Sequence, residues 1–133
     1  MMTMILSMGG VACGQTIRNS NNSAVASVST TGEVRNSSNS LVGKIHSNGD
    51  IRDANNRLIG RLDGNTVRNA SNSAIGYIYS DGTVRNSSNS LMGKVGEDGT
   101  VRNANNSAIG YAKGVPMHYV ALIFFFNLFP LAF

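Results

Sequence analysis

The chain has 133 residues, which is enough for one domain of ordinary size. Charged residues make up 14% of it and the net charge is +4. This modest positive charge favours anionic surfaces or serves solubility. Without a basic cluster interleaved with aromatic residues, it argues against a nucleic-acid partner. The single cysteine, Cys13, excludes a disulfide framework and a cysteine-based zinc site, so packing must hold the domain together.

The first fourteen residues, MMTMILSMGGVACG, are typical of a secretion leader. A short apolar stretch is followed by small residues, which place Ala12 and Gly14 at the −3 and −1 positions of a cleavage site before Gln15. The basic residues that usually precede such a stretch are missing. Cys13 leaves lipid attachment open, and an ordinary N-terminal strand is the remaining alternative. We predict that the mature chain is secreted, periplasmic or on the cell surface.

A tandem repeat follows the leader. Six tripeptides, each an apolar β-branched residue, an Arg and then Asn or Asp, are spaced by 17, 17, 16, 17 and 17 residues. An Asn follows each Arg after four residues, and Gly or Ala follows after eight. We place the repeats in residues 15–114 and an apolar tail in residues 115–133 of a single domain. The tripeptides are Ile17-Arg18-Asn19, Val34-Arg35-Asn36, Ile51-Arg52-Asp53, Val67-Arg68-Asn69, Val84-Arg85-Asn86 and Val101-Arg102-Asn103.

Each repeat contains two short stretches in which apolar residues alternate with polar ones, a pattern typical of strands. Dipeptides such as Asp81-Gly82 indicate one kind of turn, and the Asn-Ser-Ser-Asn stretches indicate another. The one 16-residue interval falls at a Gly turn, where a deletion leaves the strand register intact. The pattern predicts five Gly-turn hairpins with half a unit left at each end. They cover residues 24–36, 41–53, 58–69, 74–86 and 91–103.

Tandem 17-residue β-hairpins make an all-β domain that either closes radially about an axis or stacks as a linear β-solenoid. Radial closure is favoured because no unit is long enough to enclose a core alone. The repeat DGTVRNSSNS, residues 81–90, resembles those of the small secreted bacterial proteins called five-fold beta-flower proteins. The resemblance covers about residues 15–114. It implies a pseudo-five-fold all-β fold and export from anaerobic gut-type bacteria, and it implies no catalytic residues.

The tail reads YVALIFFFNLFPLAF over residues 119–133 and carries no charge. It is shorter than the roughly 20 residues of a membrane-spanning helix, and Asn127 and Pro130 interrupt it. We favour a final buried strand that fills the centre of the repeat ring, because the repeats supply few large side chains. A membrane anchor and an exposed partner-docking segment are the alternatives.

No nucleophile elbow, P-loop, EF-hand loop or HExxH motif is present in the sequence. The acidic residues fall mainly in turns, and the two histidines, His46 and His118, have no partner motif. We therefore predict a protein that is not an enzyme and has neither a cofactor nor a metal site. Its predicted role is structural or in surface interaction, with a glycan or protein partner at the cell surface.

The repeated arginines are the candidate ligand-binding residues. Each alternates with an apolar residue and so faces the opposite side of its strand. In one interpretation each guanidinium bonds to nearby backbone carbonyls or Asn side chains. In the other, repeated Arg and Asn bind glycans or anionic ligands, with bidentate bonds from Arg to carboxylate or sulfate. The arginines are Arg18, Arg35, Arg52, Arg68, Arg85 and Arg102.

Overall fold

The computed structural model describes residues 15–131, so the predicted leader and Cys13 lie outside the described residues. Twelve short strands are followed by one helix, α1, at Met117–Phe125. The alternating stretches thus form strands, as the sequence predicts. The strands are β1 Gln15–Asn19, β2 Ala24–Val28, β3 Glu33–Asn36, β4 Leu41–Ile45, β5 Asp50–Asp53, β6 Leu58–Asp63, β7 Thr66–Asn69, β8 Ala74–Ile78, β9 Thr83–Asn86, β10 Leu91–Val95, β11 Thr100–Asn103 and β12 Ala108–Tyr111.

The strands form one closed barrel in which every strand pairs antiparallel with its neighbours in the sequence. The barrel closes where β12 pairs with β1, through Gly110 opposite Asn19 and Tyr111 opposite Arg18. Radial closure of hairpin repeats is therefore confirmed, and the linear solenoid is not formed. Five Gly-turn hairpins follow along the chain, and the pair of end strands completes the ring.

The Gly turns lie at one end of the barrel, and each turn forms a backbone hydrogen bond with the next hairpin. Gly82, for example, has φ of +94°, and its carbonyl oxygen accepts a hydrogen bond of 2.9 Å from the Val95 amide of the following hairpin. In the short repeat Asn65 supplies this carbonyl instead, to the Ile78 amide. The missing residue therefore lies in the turn, and the strand register is preserved as predicted.

A β-bulge occurs once in every repeat, at the step from the apolar residue to the Arg. Between Ile17 and Arg18 the register moves one residue on β1 but two on β2, so Val25 is the extra residue. Bulges bend a strand and re-aim the extra side chain. Val25 packs in the core, as do its equivalents Val42, Ile59, Ile75, Met92 and Ile109.

The core lies inside the barrel and surrounds the helix. The apolar residue before each repeated Arg is fully buried, at 0% exposure in all six repeats. Burying an aliphatic side chain of this kind contributes roughly 1.5–3 kcal/mol. Within α1, the four consecutive residues from Val120 to Ile123 are buried, so the helix contacts the barrel on all sides. The barrel wall and the helix therefore form a single core.

The tail is inside the repeat ring, but as a helix followed by a short irregular segment and not as the buried strand we predicted. The reason is hydrogen bonding. In the closed barrel each of the twelve strands is already paired on both sides, so a strand in the interior would find no edge to pair with. A helix satisfies its own backbone groups. Among residues 15–131, no helix is both long and apolar enough to cross a lipid bilayer.

Glycines on the inner wall make room for the large side chains of this C-terminal segment. A Cβ built on Gly76 would lie 2.7 Å from Cζ of Phe126 and 2.6 Å from the Arg85 carbonyl oxygen. In the first repeat Ala26 stands at this position. Five glycines thus face five large side chains. The pairs are Gly43 with Phe129, Gly60 with Leu128, Gly76 with Phe126, Gly93 with Phe125 and Gly110 with Phe124.

We expect Gly76→Ala to lower the free energy of unfolding by about 1–3 kcal/mol, because its methyl group overlaps the Phe126 ring. Gly60→Ala is the matched control. At this equivalent position the nearest atoms are the Arg68 carbonyl oxygen at 3.0 Å and Leu128 at 3.4 Å, so the loss should be smaller. Urea unfolding measures both. Adding Phe126→Leu should recover part of the loss at Gly76, and equal losses at the two glycines would contradict the packing described.

Candidate functional site

Each Asn turn is held by the side chain that follows the repeated Arg. The Oδ1 atom of Asn86 accepts hydrogen bonds from the Ser88 and Ser90 amides, both at 2.9 Å. Three residues after Asn86, Asn89 adopts the left-handed conformation with φ of +66°, which Asn tolerates better than most residues. The other five repeats contain the same bonds and the same conformation. The Asn-rich stretches are therefore turn-forming, as predicted.

The guanidinium of each repeated Arg belongs to the same turn. Its Nη1 donates a hydrogen bond of 2.9–3.2 Å to the carbonyl oxygen of the left-handed Asn four residues later, in all six repeats. This bond orients the guanidinium and leaves its Nε and Nη2 edge available. The first interpretation of the arginines, bonding to nearby backbone carbonyls, is thus correct for one nitrogen of each.

The outer wall of the barrel carries six rows of three residues. Each row starts two residues before a repeated Arg, crosses to the facing strand, and ends at the Arg of the strand after that. Thr83 faces Lys94, which faces Arg102. The rows are Thr16-Ser27-Arg35, Glu33-Lys44-Arg52, Asp50-Arg61-Arg68, Thr66-Tyr77-Arg85, Thr83-Lys94-Arg102 and Thr100-Tyr111-Arg18.

Acidic partners occur on one half of this wall. Nη2 of Arg35 lies 3.8 Å from Glu33, Nη2 of Arg52 lies 3.5 Å from Asp50, and Nε of Arg68 lies 3.8 Å from Asp63. In these repeats the free guanidinium edge thus faces a carboxylate of the protein itself. All three pairs are partly exposed, so each contributes little to stability.

On the other half Thr stands at this position, as Thr66 also does before Arg68, but among the described residues no carboxylate such as Asp63 takes over the pairing. Thr16, Thr83 and Thr100 stand two residues before Arg18, Arg85 and Arg102. Within residues 15–131, no ion pair reaches these three arginines or Lys94. We call this part of the wall the cation–tyrosine strip, and it comprises Tyr77, Arg85, Lys94, Arg102, Tyr111 and Arg18.

A shallow groove crosses the middle of the strip. A depression of 290 Å³ is lined by Thr83, Arg85, Lys94, Arg102 and Leu91, among others. Leu91 is the most exposed large apolar side chain of the described residues, at 44%. A second depression, of 360 Å³, shares Thr83 and Arg85 and extends towards Tyr79 and Asp81. The groove therefore combines three cations, a hydroxyl group and apolar surface.

Two carboxylates lie in the Gly turns at the edge of the strip. Hydrogen bonds from Thr83 lower the pKa of Asp81, and those from Thr100 lower the pKa of Asp98. The charges of Lys94 and Arg102 add smaller effects in the same direction. These acids are therefore ionised at neutral pH and are engaged with their own turns, outside ion-pair distance of the strip cations.

A family model described as 5-fold beta-flower protein matches residues 14–128. The chain belongs to the 5-fold beta-flower family. No curated protein and no solved structure matches it. The match covers the twelve strands, the helix and the first three residues after it, so this beta-flower protein includes its central helix within the family domain.

The six predicted arginines of the beta-flower protein are spread around the outer wall and do not converge on one cavity. The structure divides them into Arg35, Arg52 and Arg68, which have acidic partners, and Arg18, Arg85 and Arg102 on the strip. Sequence analysis missed Lys94 and Thr83 as their neighbours. The sequence signal for Thr83 was the alignment of the repeats, in which it occupies the position of Glu33 and Asp50 and leaves Arg85 without an acid two residues before it.

The two histidines line the same depression at the Gly-turn end of the barrel, which the sequence did not predict. His46 and His118 line one depression of 460 Å³, together with Leu62 and Tyr119. The His118 ring lies edge-on to the Tyr119 ring, with centroids 4.5 Å apart, and partial desolvation lowers the pKa of His118. Within residues 15–131, no group of three or more His, Cys, Asp or Glu residues is arranged to hold a metal ion.

One repeat of the beta-flower protein carries Asp53 where the other five carry Asn, and this gives a pH test. Hydrogen bonds from the Arg57 and Asn55 amides, with the charge of Arg57, lower the pKa of Asp53, although desolvation opposes them. A lowered pKa stabilises the folded state above the unfolded value of about 3.9, and the stabilisation is lost as pH falls through the folded value. Asp53→Asn keeps the acceptor oxygen without the charge.

We therefore expect the wild type to lose stability relative to Asp53→Asn as pH falls, because the stabilisation by the charged carboxylate is present near neutral pH and lost in acid. Chemical unfolding at about pH 7, 4 and 2.5 measures the difference. Asp81→Asn is the comparison variant. The pKa of Asp81 is also lowered, so the wild type should lose stability relative to this variant as well when the pH falls. A stability difference between wild type and Asp53→Asn that does not change with pH would show that the Asp53 carboxylate is not coupled to folding.

Proposed function

We propose that this beta-flower protein is an exported, non-enzymatic scaffold that acts through interactions at its outer wall. One observation carries the proposal. The repeats are nearly identical at the positions that build the fold and different at the positions that face outward. The row centres, which build no part of the core, are Ser27, Lys44, Arg61, Tyr77, Lys94 and Tyr111.

The constant residues all have a structural task. The apolar residue before each Arg is buried, the Asn after it accepts the turn amides, and the Arg holds the turn carbonyl. Row centres are free of these tasks, so their chemistry is free to serve contacts with other molecules. The family is not known as enzymatic. The polar groups of the repeats serve turns and surface, which supports interaction and not catalysis.

Export is part of the proposal, and the small residues before Gln15 support it. We expect a C-terminally tagged full chain produced in a bacterium to appear outside the cytoplasm, with its N-terminus at Gln15. Cell fractionation and N-terminal sequencing measure this. Ala12→Glu is the matched variant, because a large charged residue at the −3 position should block processing. Cytoplasmic protein that still begins at Met1 would contradict export.

A further inference from the structure

We propose that the cation–tyrosine strip binds an acidic oligosaccharide, whose sugar rings carry sulfate or carboxylate groups. The proposal rests on the interaction role proposed above, and it names the site and the ligand class. It selects three of the six repeated arginines, those of the strip, and adds Lys94, Thr83 and the tyrosines to them.

The protein itself shows what the free guanidinium edge binds. In the acidic half of the wall, Nε or Nη2 of the repeated Arg faces a carboxylate, as Arg35 faces Glu33 and Arg52 faces Asp50. On the strip the same edge is held in the same orientation by the same Nη1 bond to the Asn turn. A carboxylate or sulfate of a ligand therefore takes the place that a side chain takes in the other repeats, and it meets an edge suited to two parallel hydrogen bonds.

The cations are spaced for a chain-like ligand that carries several charges. Arg85, Lys94 and Arg102 come from three consecutive strands, β9, β10 and β11, and neighbouring strands lie about 4.8 Å apart. Arg18 continues the strip two strands further on, beyond Tyr111. A ligand lying around the barrel thus meets cations in succession. A single small anion would engage only one or two of them.

The other groups on the strip suit sugars better than bases. The tyrosine hydroxyl groups offer hydrogen bonds to sugar hydroxyls, whereas the hydroxyl groups of Thr83 and Thr100 already bond to Asp81 and Asp98. The exposed Leu91 offers apolar surface to the C–H face of a sugar ring. Tyr77 and Tyr111 stand four strands apart, about 19 Å, which is too far for the stacking of successive bases that single-stranded nucleic-acid binders use.

The test uses isothermal titration of the purified full chain, processed or not, at about 0.15 M salt, where weak non-specific attraction between exposed charges is screened. The probes are a sulfated dextran oligosaccharide, an oligogalacturonate, a neutral dextran oligosaccharide of the same length and a single-stranded thymidine oligonucleotide. We expect at least one of the two acidic oligosaccharides to bind and the neutral one and the oligonucleotide to bind more weakly.

The decisive variant is T83E/T100E, which places acids where Glu33 and Asp50 stand in the other repeats and leaves every cation in place. Each new Glu should pair with the Arg two residues later, as Glu33 does, but it also replaces the Thr hydroxyl that bonds to Asp81 or Asp98, so chemical unfolding of the variant must first show that the fold is kept. We expect affinity for the acidic oligosaccharide to fall about tenfold or more, since a charge-assisted contact is lost. The charge-matched control is S37E/A54E, which adds two acids to exposed turns of the other half and should change affinity by about twofold at most.

A third variant distinguishes recognition of the sugar rings from binding of a simple anion. Tyr77→Ser and Tyr111→Ser together copy the Ser27 of the first row, and they should weaken the acidic oligosaccharide while leaving the affinity for inorganic sulfate unchanged. Equal losses in T83E/T100E and S37E/A54E would overturn the proposal in favour of bulk charge. So would tighter binding of the oligonucleotide.

The proposal would also be overturned if none of the four probes bound. That outcome would leave the interaction role standing if the fractionation experiment places the chain outside the cytoplasm, so the two proposals fail separately.

Discussion

The contact between the C-terminal segment and the ring of inner-wall glycines is the constraint on which the rest of the structure depends. A ring of twelve strands is wider than the eight-stranded barrels that side chains alone can fill. Glycine at the inner position of five repeats leaves still more space, and Phe124, Phe125, Phe126, Leu128 and Phe129 occupy it. Neither part is sufficient alone. The barrel without the helix would enclose an apolar void, and the helix without the barrel would expose nearly every side chain it has.

Because the helix and the inner wall supply the core, the Asn turns need only close each repeat on itself. The Oδ1 of the first Asn, the left-handed second Asn and the Nη1 of the Arg satisfy the turn without help from neighbouring repeats. The bulge next to the Arg turns one further apolar residue inward. As a result, few outward-facing side chains other than the repeated Arg and Asn are required for folding, and the rest of the wall is free to differ from one repeat to the next.

Much of this was readable from the sequence because the repeat supplies six aligned examples of each position. Strands, turns and the place of the deletion follow from spacing and alternation, which also favour radial closure over a linear solenoid. The helix did not, because a tail that is apolar all round has no periodicity to separate helix from strand, and only the closed ring excludes a strand. The rows on the wall were also hidden. They depend on the register across strands, and the bulge shifts that register by a residue that the alternation of Val84 and Arg85 does not show.

The residue that faces the free edge of each Arg decides the character of the wall, and in two repeats it stands two residues before the Arg. Glu33 and Asp50 show that an acid there is compatible with the fold and neutralises the following Arg. Thr83 and Thr100 leave Arg85 and Arg102 unneutralised beside Lys94, and like charges on adjacent strands repel one another. Thr83 and Thr100 instead serve the Gly turns, where they bond to Asp81 and Asp98, and the repulsion between the cations is left in place. Within residues 15–131, this half of the barrel therefore presents cations that have no carboxylate of the protein within ion-pair distance, which is the feature on which the proposed binding of acidic oligosaccharides rests.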